Sequence, residues 1–148
     1  MAETLGMLCD KLTIVKLKQY HTEDSVRLKS LEAQAMSLQN EIDEYVRDVF
    51  SGRIPLDKLT FEANKVYKES GNEISLISGN IGQIVSQLAD VNCKLWHEQE
   101  KVYDFENVPV EEKNNVVKKL AILNLERNKC IDLINQQFRD IVSNHLTK

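Results

Sequence analysis

Leu5-Gly6-Met7-Leu8-Cys9-Asp10-Lys11-Leu12-Thr13-Ile14-Val15-Lys16-Leu17-Lys18-Gln19-Tyr20-His21 returns, without a gap, as Ile81-Gly82-Gln83-Ile84-Val85-Ser86-Gln87-Leu88-Ala89-Asp90-Val91-Asn92-Cys93-Lys94-Leu95-Trp96-His97. The correspondence runs from 5–26 to 81–102. Gly6, Leu12, Val15, Lys18, His21 and Val26 are identical to Gly82, Leu88, Val91, Lys94, His97 and Val102, while Tyr20 answers Trp96 and Asp24 answers Glu100. Any two amphipathic helices share apolar spacing, but a lysine, an aromatic, a histidine and a carboxylate repeated in order mark an internal duplication. Two related helices with polar groups at matching levels predict an antiparallel helical bundle.

The composition agrees. The chain has 148 residues, 42% of them hydrophobic, which is enough for one core, so a single helical domain over 1–148 is expected. Only two prolines and five glycines, among many straight-chain residues, predict an all-α fold. A net charge of −4 lacks the basic surplus that a phosphate backbone attracts, which argues against a nucleic acid polymer as partner. The apolar runs are too short and interrupted for a bilayer, and no signal peptide is recognisable, so no membrane partner and a cytoplasmic location are expected. Cys9, Cys93 and Cys130, widely spaced among apolar neighbours, read as small core residues in a reducing compartment.

Helical spacing is continuous over 4–51, which predicts one long N-terminal helix or two nearly collinear ones. Its early seam is Leu5, Leu8, Leu12 and Val15; its later seam is Leu28, Leu31, Ala35, Leu38, Ile42, Tyr45 and Val49, a coiled-coil-like alternation. The seams are out of phase, so 19–27 must change face, bend or meet two partners. Gly52-Arg53-Ile54-Pro55 ends this helix, and a short one is expected over 56–70, closed by Gly71-Asn72. A third helix is expected from about residue 72 to 103 on Ile74, Ile77, Ile81, Ile84, Leu88, Val91 and Leu95. After a loop over 104–110, a fourth is expected over 111–145 with the seam Val117, Leu120, Asn124, Arg127, Ile131, Ile134, Phe138 and Ile141. The length of the second seam points to a homo-oligomer joined through coiled-coil arms.

Polar residues interrupt these seams at His21 with Asp24, at His97 with Glu100, and at Asn124 with Arg127. If the duplication is a structural pseudo-symmetry, these six converge inside the bundle, with Lys18, Tyr20, Lys94, Trp96 and Asn128 around them. Three chemistries fit. A buried polar network would fix helix register, Arg127 pairing with Asp24 or Glu100, in a purely structural coiled-coil oligomer. His21, Asp24, His97 and Glu100 would supply nitrogen and oxygen ligands at (i, i+3) spacing for a divalent metal and a metal-dependent phosphohydrolase, although Arg127 and the lysines would repel the ion. A small phosphorylated or nucleotide-like ligand would be held without turnover, and without a cofactor. Arg127, Lys18 and Lys94 would neutralise its phosphate, and Tyr20 and Trp96 would stack on its base. Asn92, Asn124, Asn128, His21 and His97 would supply hydrogen bonds. No glycine-rich phosphate loop, nucleophile elbow or Cys–His motif occurs, so no residue is assigned a catalytic role.

Asn92-Cys93-Lys94-Leu95-Trp96-His97-Glu98-Gln99-Glu100, followed by Asn124-Leu125-Glu126-Arg127-Asn128, resembles an uncharacterised all-helical family of bacteria and tailed phages. That family carries Asn-x-x-Leu-Trp-His-x-Glu-Asp and then Asn-x-x-Arg-Asn. Leu8-Cys9-Asp10-Lys11-Leu12-Thr13-Ile14-Val15 is similar to the opening of its short phage members. Both ends of the chain match, 28–80 would be an insertion, and Gln99 stands where the family has an acid. The resemblance implies that Trp96, His97, Asn124, Arg127 and Asn128 act as a set. A phage origin would suit a protein of the host cytoplasm that sequesters a nucleotide signal of host defence.

Overall fold

A computed structural model describes residues 3–60 and 77–146. The chain is all-α: α1 (Leu5–His21), α2 (Ser25–Phe50), α3 (Ile81–Tyr103) and α4 (Val110–Leu146) pack against one another, with 3-10 turns at Leu56–Lys58 and Phe105–Asn107. Among the described residues there is no strand, and no helix is long and apolar enough to cross a membrane.

The expectation of a long or nearly collinear N-terminal helix fails at residues 22–24. Asp24 leaves helical geometry and its carboxylate accepts from the backbone N–H groups of Val26 and Arg27, so it caps a new helix. The new helix folds back. Leu5 and Leu8 share a core with Tyr45 and Val49, whereas Val15 packs with Leu31 and Ala35, the pairing of an antiparallel hairpin. The out-of-phase seams are thereby explained, since each faces the other. The seam that suggested coiled-coil arms is buried inside the chain, where Leu31, Ala35, Tyr45 and Val49 are all less than a tenth exposed.

The duplicated segments begin in identical register, Thr4 capping α1 and Asn80 capping α3 at equivalent positions. They lie parallel. Asp10 meets Asn92 near their middles and His21 meets Trp96 further along, while α4 runs antiparallel to both, bringing Asn135 to Gly6, Arg127 to Asp10 and Lys119 to Glu98. α1 therefore packs on α2, α3 and α4, and the rings of Tyr45 and Phe50 against Phe138 bring the end of α2 onto α4 as well.

Two boundaries differ from the sequence reading. Residues 77–80 are not helical and Gly79 has φ of +120°, so the third helix starts at Ile81, while Ile74 and most of the helix expected over 56–70 lie outside the described residues. In α4 the buried line is Val116, Leu123, Cys130, Ile134, Phe138 and Val142, whereas Val117, Asn124 and Ile141 face outward. The expected seam coincides with the buried line at Ile134 and Phe138 and is offset from it by one residue at Val117 against Val116, Asn124 against Leu123, and Ile141 against Val142.

Gly6 and Gly82 hold equivalent places with unequal constraints. A Cβ on Gly6 would collide with the Ile131 carbonyl oxygen and meet the Asn135 side chain, whereas one on Gly82 would meet nothing within 4 Å. Gly6→Ala should therefore lower stability by roughly 1–3 kcal/mol through forced separation of α1 and α4. Gly82→Ala should raise it by about 0.5–1 kcal/mol. Urea melts of the two variants check the opposite signs.

Candidate functional site

The interior does hold a polar network, built around a carboxylate. Asp10, 4% exposed, accepts from Asn92 Nδ2 at 2.9 Å and from Arg127 Nε at 2.9 Å on Oδ1, and from an Arg127 terminal nitrogen at 2.5 Å on Oδ2. Asn92 Nδ2 also donates to Thr13 Oγ1 at 2.8 Å, and that hydroxyl donates to the Asp10 carbonyl. Hydrogen bonding to Asp10 holds the Arg127 guanidinium still more firmly protonated than usual, outweighing the burial that opposes it. Arg127 pairs neither with Asp24, which caps α2, nor with Glu100, which is exposed. The signal for Asp10 is the stripe Gly6, Asp10, Thr13 at i, i+4, i+7: Gly6 and Asp10 meet Asn135, Ile131 and Arg127, spaced i, i+4, i+8 on α4, and Thr13 meets Asn92 of α3. The duplication hides it, because Ser86 stands at the equivalent position in α3.

A second polar concentration lies at the end of α1. His21 and His97 come together, with ring centroids 6.0 Å apart, but both are exposed at the hairpin end and not in the middle of the bundle. His21 stacks on Trp96 at 4.7 Å with 7° between the planes, and the edge of Tyr20 meets His21 at 5.2 Å. Beside this stack is a groove of about 510 Å³ lined by Lys18, His21 and Thr22 from the end of α1 and its turn, Arg27, Ser30, Leu31 and Gln34 from α2, and Trp96 from α3. Its lining holds two permanent cations and no carboxylate. Among the described residues neither cation takes part in an ion pair.

The predicted site residues therefore divide. Lys18, His21 and Trp96 line the groove, with Tyr20 and His97 adjoining His21. Asn92 and Arg127 belong to the internal network, and Lys94, Asn124 and Asn128 are exposed outside the groove lining, so the six-residue convergence inside the bundle does not occur. Sequence reading missed Arg27, Ser30 and Gln34, which reach the groove only because α2 folds back. For a metal centre, the four proposed ligands do not assemble. Asp24 is engaged as a helix cap, and among the described residues no three His, Cys, Asp or Glu side chains are grouped closely enough to hold an ion.

Comparison with family models, curated proteins and solved structures finds no match.

Two measurements probe the network. Asp10→Ala leaves a partly buried guanidinium without its carboxylate and should cost about 2 kcal/mol in a urea melt. That is less than the loss for a fully buried pair, because the Arg127 side chain keeps 34% of its exposure. Around it, burial and then the Asp10 charge push the Cys9 thiol up to about 11; burial, then Glu126 and Asp10, do the same to Cys130. At pH 8 only roughly one thiol in a thousand would be ionised at either site, so iodoacetamide should label both far more slowly in the native than in the urea-unfolded protein, as read by mass spectrometry.

Proposed function

We propose that the protein binds a small phosphorylated, nucleotide-derived ligand in the groove between the end of α1, the first turns of α2, and Trp96, and that it holds this ligand without turning it over. The observation that carries the reading is the pairing of an unneutralised cationic lining with an aromatic stack. Lys18 and Arg27 give an anion two charged donors, Arg27 in a form suited to bidentate phosphate contact. The Trp96–His21 stack offers a π face for a base, as the outer layer of the stack or in place of the imidazole. Thr22, Ser30 and Gln34 supply neutral hydrogen bonds along one side. Such a lining on a chain of net charge −4 is a local exception to the sign of the whole.

In a lining without carboxylate or cysteine, His21 is the residue of general-base type, and in this reading it serves the stack on Trp96 and not proton transfer. Together with the resemblance to proteins of tailed phages, this reading favours sequestration of a host nucleotide signal as the biological role.

Trp96 is the sole tryptophan of the chain, so its fluorescence reports on the groove directly. Titration with AMP, ADP and cyclic di-AMP should change that fluorescence for at least one of them and raise the melting temperature. At a ligand concentration of 100 Kd the stabilisation would be about 2.7 kcal/mol. The double variant Lys18→Ala/Arg27→Ala should weaken binding by about a hundredfold, and Trp96→Phe by a few-fold at most if stacking is what matters. Chromatography of the recovered ligand should return it unchanged. Unaltered fluorescence and melting at millimolar concentrations of all three would defeat the proposal.

A further inference from the structure

Tyr20, Tyr103, Val110 and Val26 are the most exposed large apolar side chains among the described residues, each more than three-quarters exposed. They are not scattered. Tyr20 and Val26 bracket the turn between α1 and α2, and Tyr103 and Val110 bracket the turn between α3 and α4. Because α1 and α3 run parallel, both turns lie at one end of the bundle. Single exposed apolar residues are ordinary on a surface, whereas a group of them at one end marks a contact.

That end has the form of a step. His21 closes α1 beside His97, while α3 continues to Tyr103, about 9 Å further at 1.5 Å per residue, so the α3–α4 turn projects beyond the α1–α2 turn. The two levels carry opposite charge. On the recessed level is the groove, whose lining has Lys18 and Arg27 and no acid. On the projecting level is a hollow of about 500 Å³ whose lining sets Glu100, Asp104 and Glu112 against Lys101. Lys101 is already committed to Glu98, and among the described residues none of the three carboxylates takes part in an ion pair. His21 in the groove and His97 in the hollow, with ring centroids 6.0 Å apart, join the two levels.

We propose that this end is the contact between two copies of the chain, related by a two-fold axis beside His97. Such an axis lays the cationic groove of each copy on the acidic hollow of the other, and each projecting turn on the other's recess, with the tyrosines and valines between them. A partner of one sign would match only one level, and a second copy matches both. Four tyrosines would bury on the order of 600 Å², about half of a small stable interface of roughly 1,200 Å². The valines and the walls of the two hollows supply the rest, so the contact is weak and sensitive to salt. It differs from the coiled-coil arms expected from the seam of α2, which is buried within the chain. It does not depend on the ligand reading, but it uses Lys18 and Arg27, so a ligand phosphate and the partner's carboxylates exclude one another in the groove.

Sedimentation equilibrium tests the contact. Wild type at about 50 mM salt should pass from one chain to two as its concentration rises to about 200 μM, and should return toward one at about 500 mM salt. Lys18→Glu/Arg27→Glu and Glu100→Lys/Glu112→Lys, all at exposed positions, should each weaken self-association by about a hundredfold, since like charges then face each other. Mixed in equal amounts, these two variants should form a dimer of one copy each, because both pairings become attractive again. Tyr103→Ser/Val110→Ser should be monomeric. A wild type that stays monomeric throughout overturns the proposal and leaves this end to a different partner. Self-association that both charge-reversed variants keep, or a mixture of them that does not pair, overturns it as well. Nucleotide titration of Glu100→Lys/Glu112→Lys, monomeric and with its groove residues intact, tests the ligand reading separately.

Discussion

With 4% of its surface exposed, the Asp10 carboxylate has given up nearly all its water and must recover equivalent hydrogen bonds from other helices. Asn92 of α3 and Arg127 of α4 supply them, and in doing so they fix the axial register of both helices against α1. A one-turn slip of α4, about 5.4 Å, would replace the guanidinium with an apolar side chain such as Leu123 or Ile131 and leave a bare buried charge. Apolar packing alone would tolerate such a slip far better. One turn before Asp10, Gly6 lets α4 come close enough for the pairing, and its N–H is closed off by Asn135 at 2.7 Å.

The two copies of the repeated segment share a start, a direction and a core line, yet they are put to different uses. Leu8 and Ile84, and Val15 and Val91, are buried alike, as the shared pattern requires. Polar positions diverge: Asp10 is answered by Ser86 and Asn92 by Lys16, so one copy provides the acid and the other the amide of a single network. Because the copies run parallel, their histidines emerge at the same end. There α1 turns into α2 while α3 continues to Tyr103, so only Trp96 and His97 retain helix beyond them.

The all-α class and the meeting of His21 with Trp96 and His97 follow from features visible in the sequence, namely periodicity and the repeat. The hairpin does not. Thr22-Glu23-Asp24-Ser25 carries the polar residues of a turn and a helix cap, but no glycine or proline marks a break, the phase change across 19–27 fits a change of face as well as a bend, and the cap decides only once α2 has α1 to pack on. The partner of Arg127 was hidden for a different reason. Charge pairing across helices depends on which faces meet, and the stripe of Gly6, Asp10 and Thr13 is too short to compete with the longer leucine seam as a periodic signal. Arg27, Ser30, Leu31 and Gln34, half of the groove lining, join it only through the hairpin, so they are legible only once the turn at 22–24 is.

The two arginines nearest the repeated histidines make the division between structure and function physical. Arg127 gives one edge of its guanidinium, Nε and a terminal nitrogen, to the two oxygens of Asp10, so a ligand phosphate taking that edge would have to displace Asp10 and leave that acid buried without its cation. Binding there would begin with a loss of several kcal/mol, as expected for breaking a buried pair. Arg27 faces a groove whose lining it shares with Lys18 and no acid, so neither cation is neutralised there. In the proposed complex an anion would relieve the repulsion between them, an interaction not already present in the free protein.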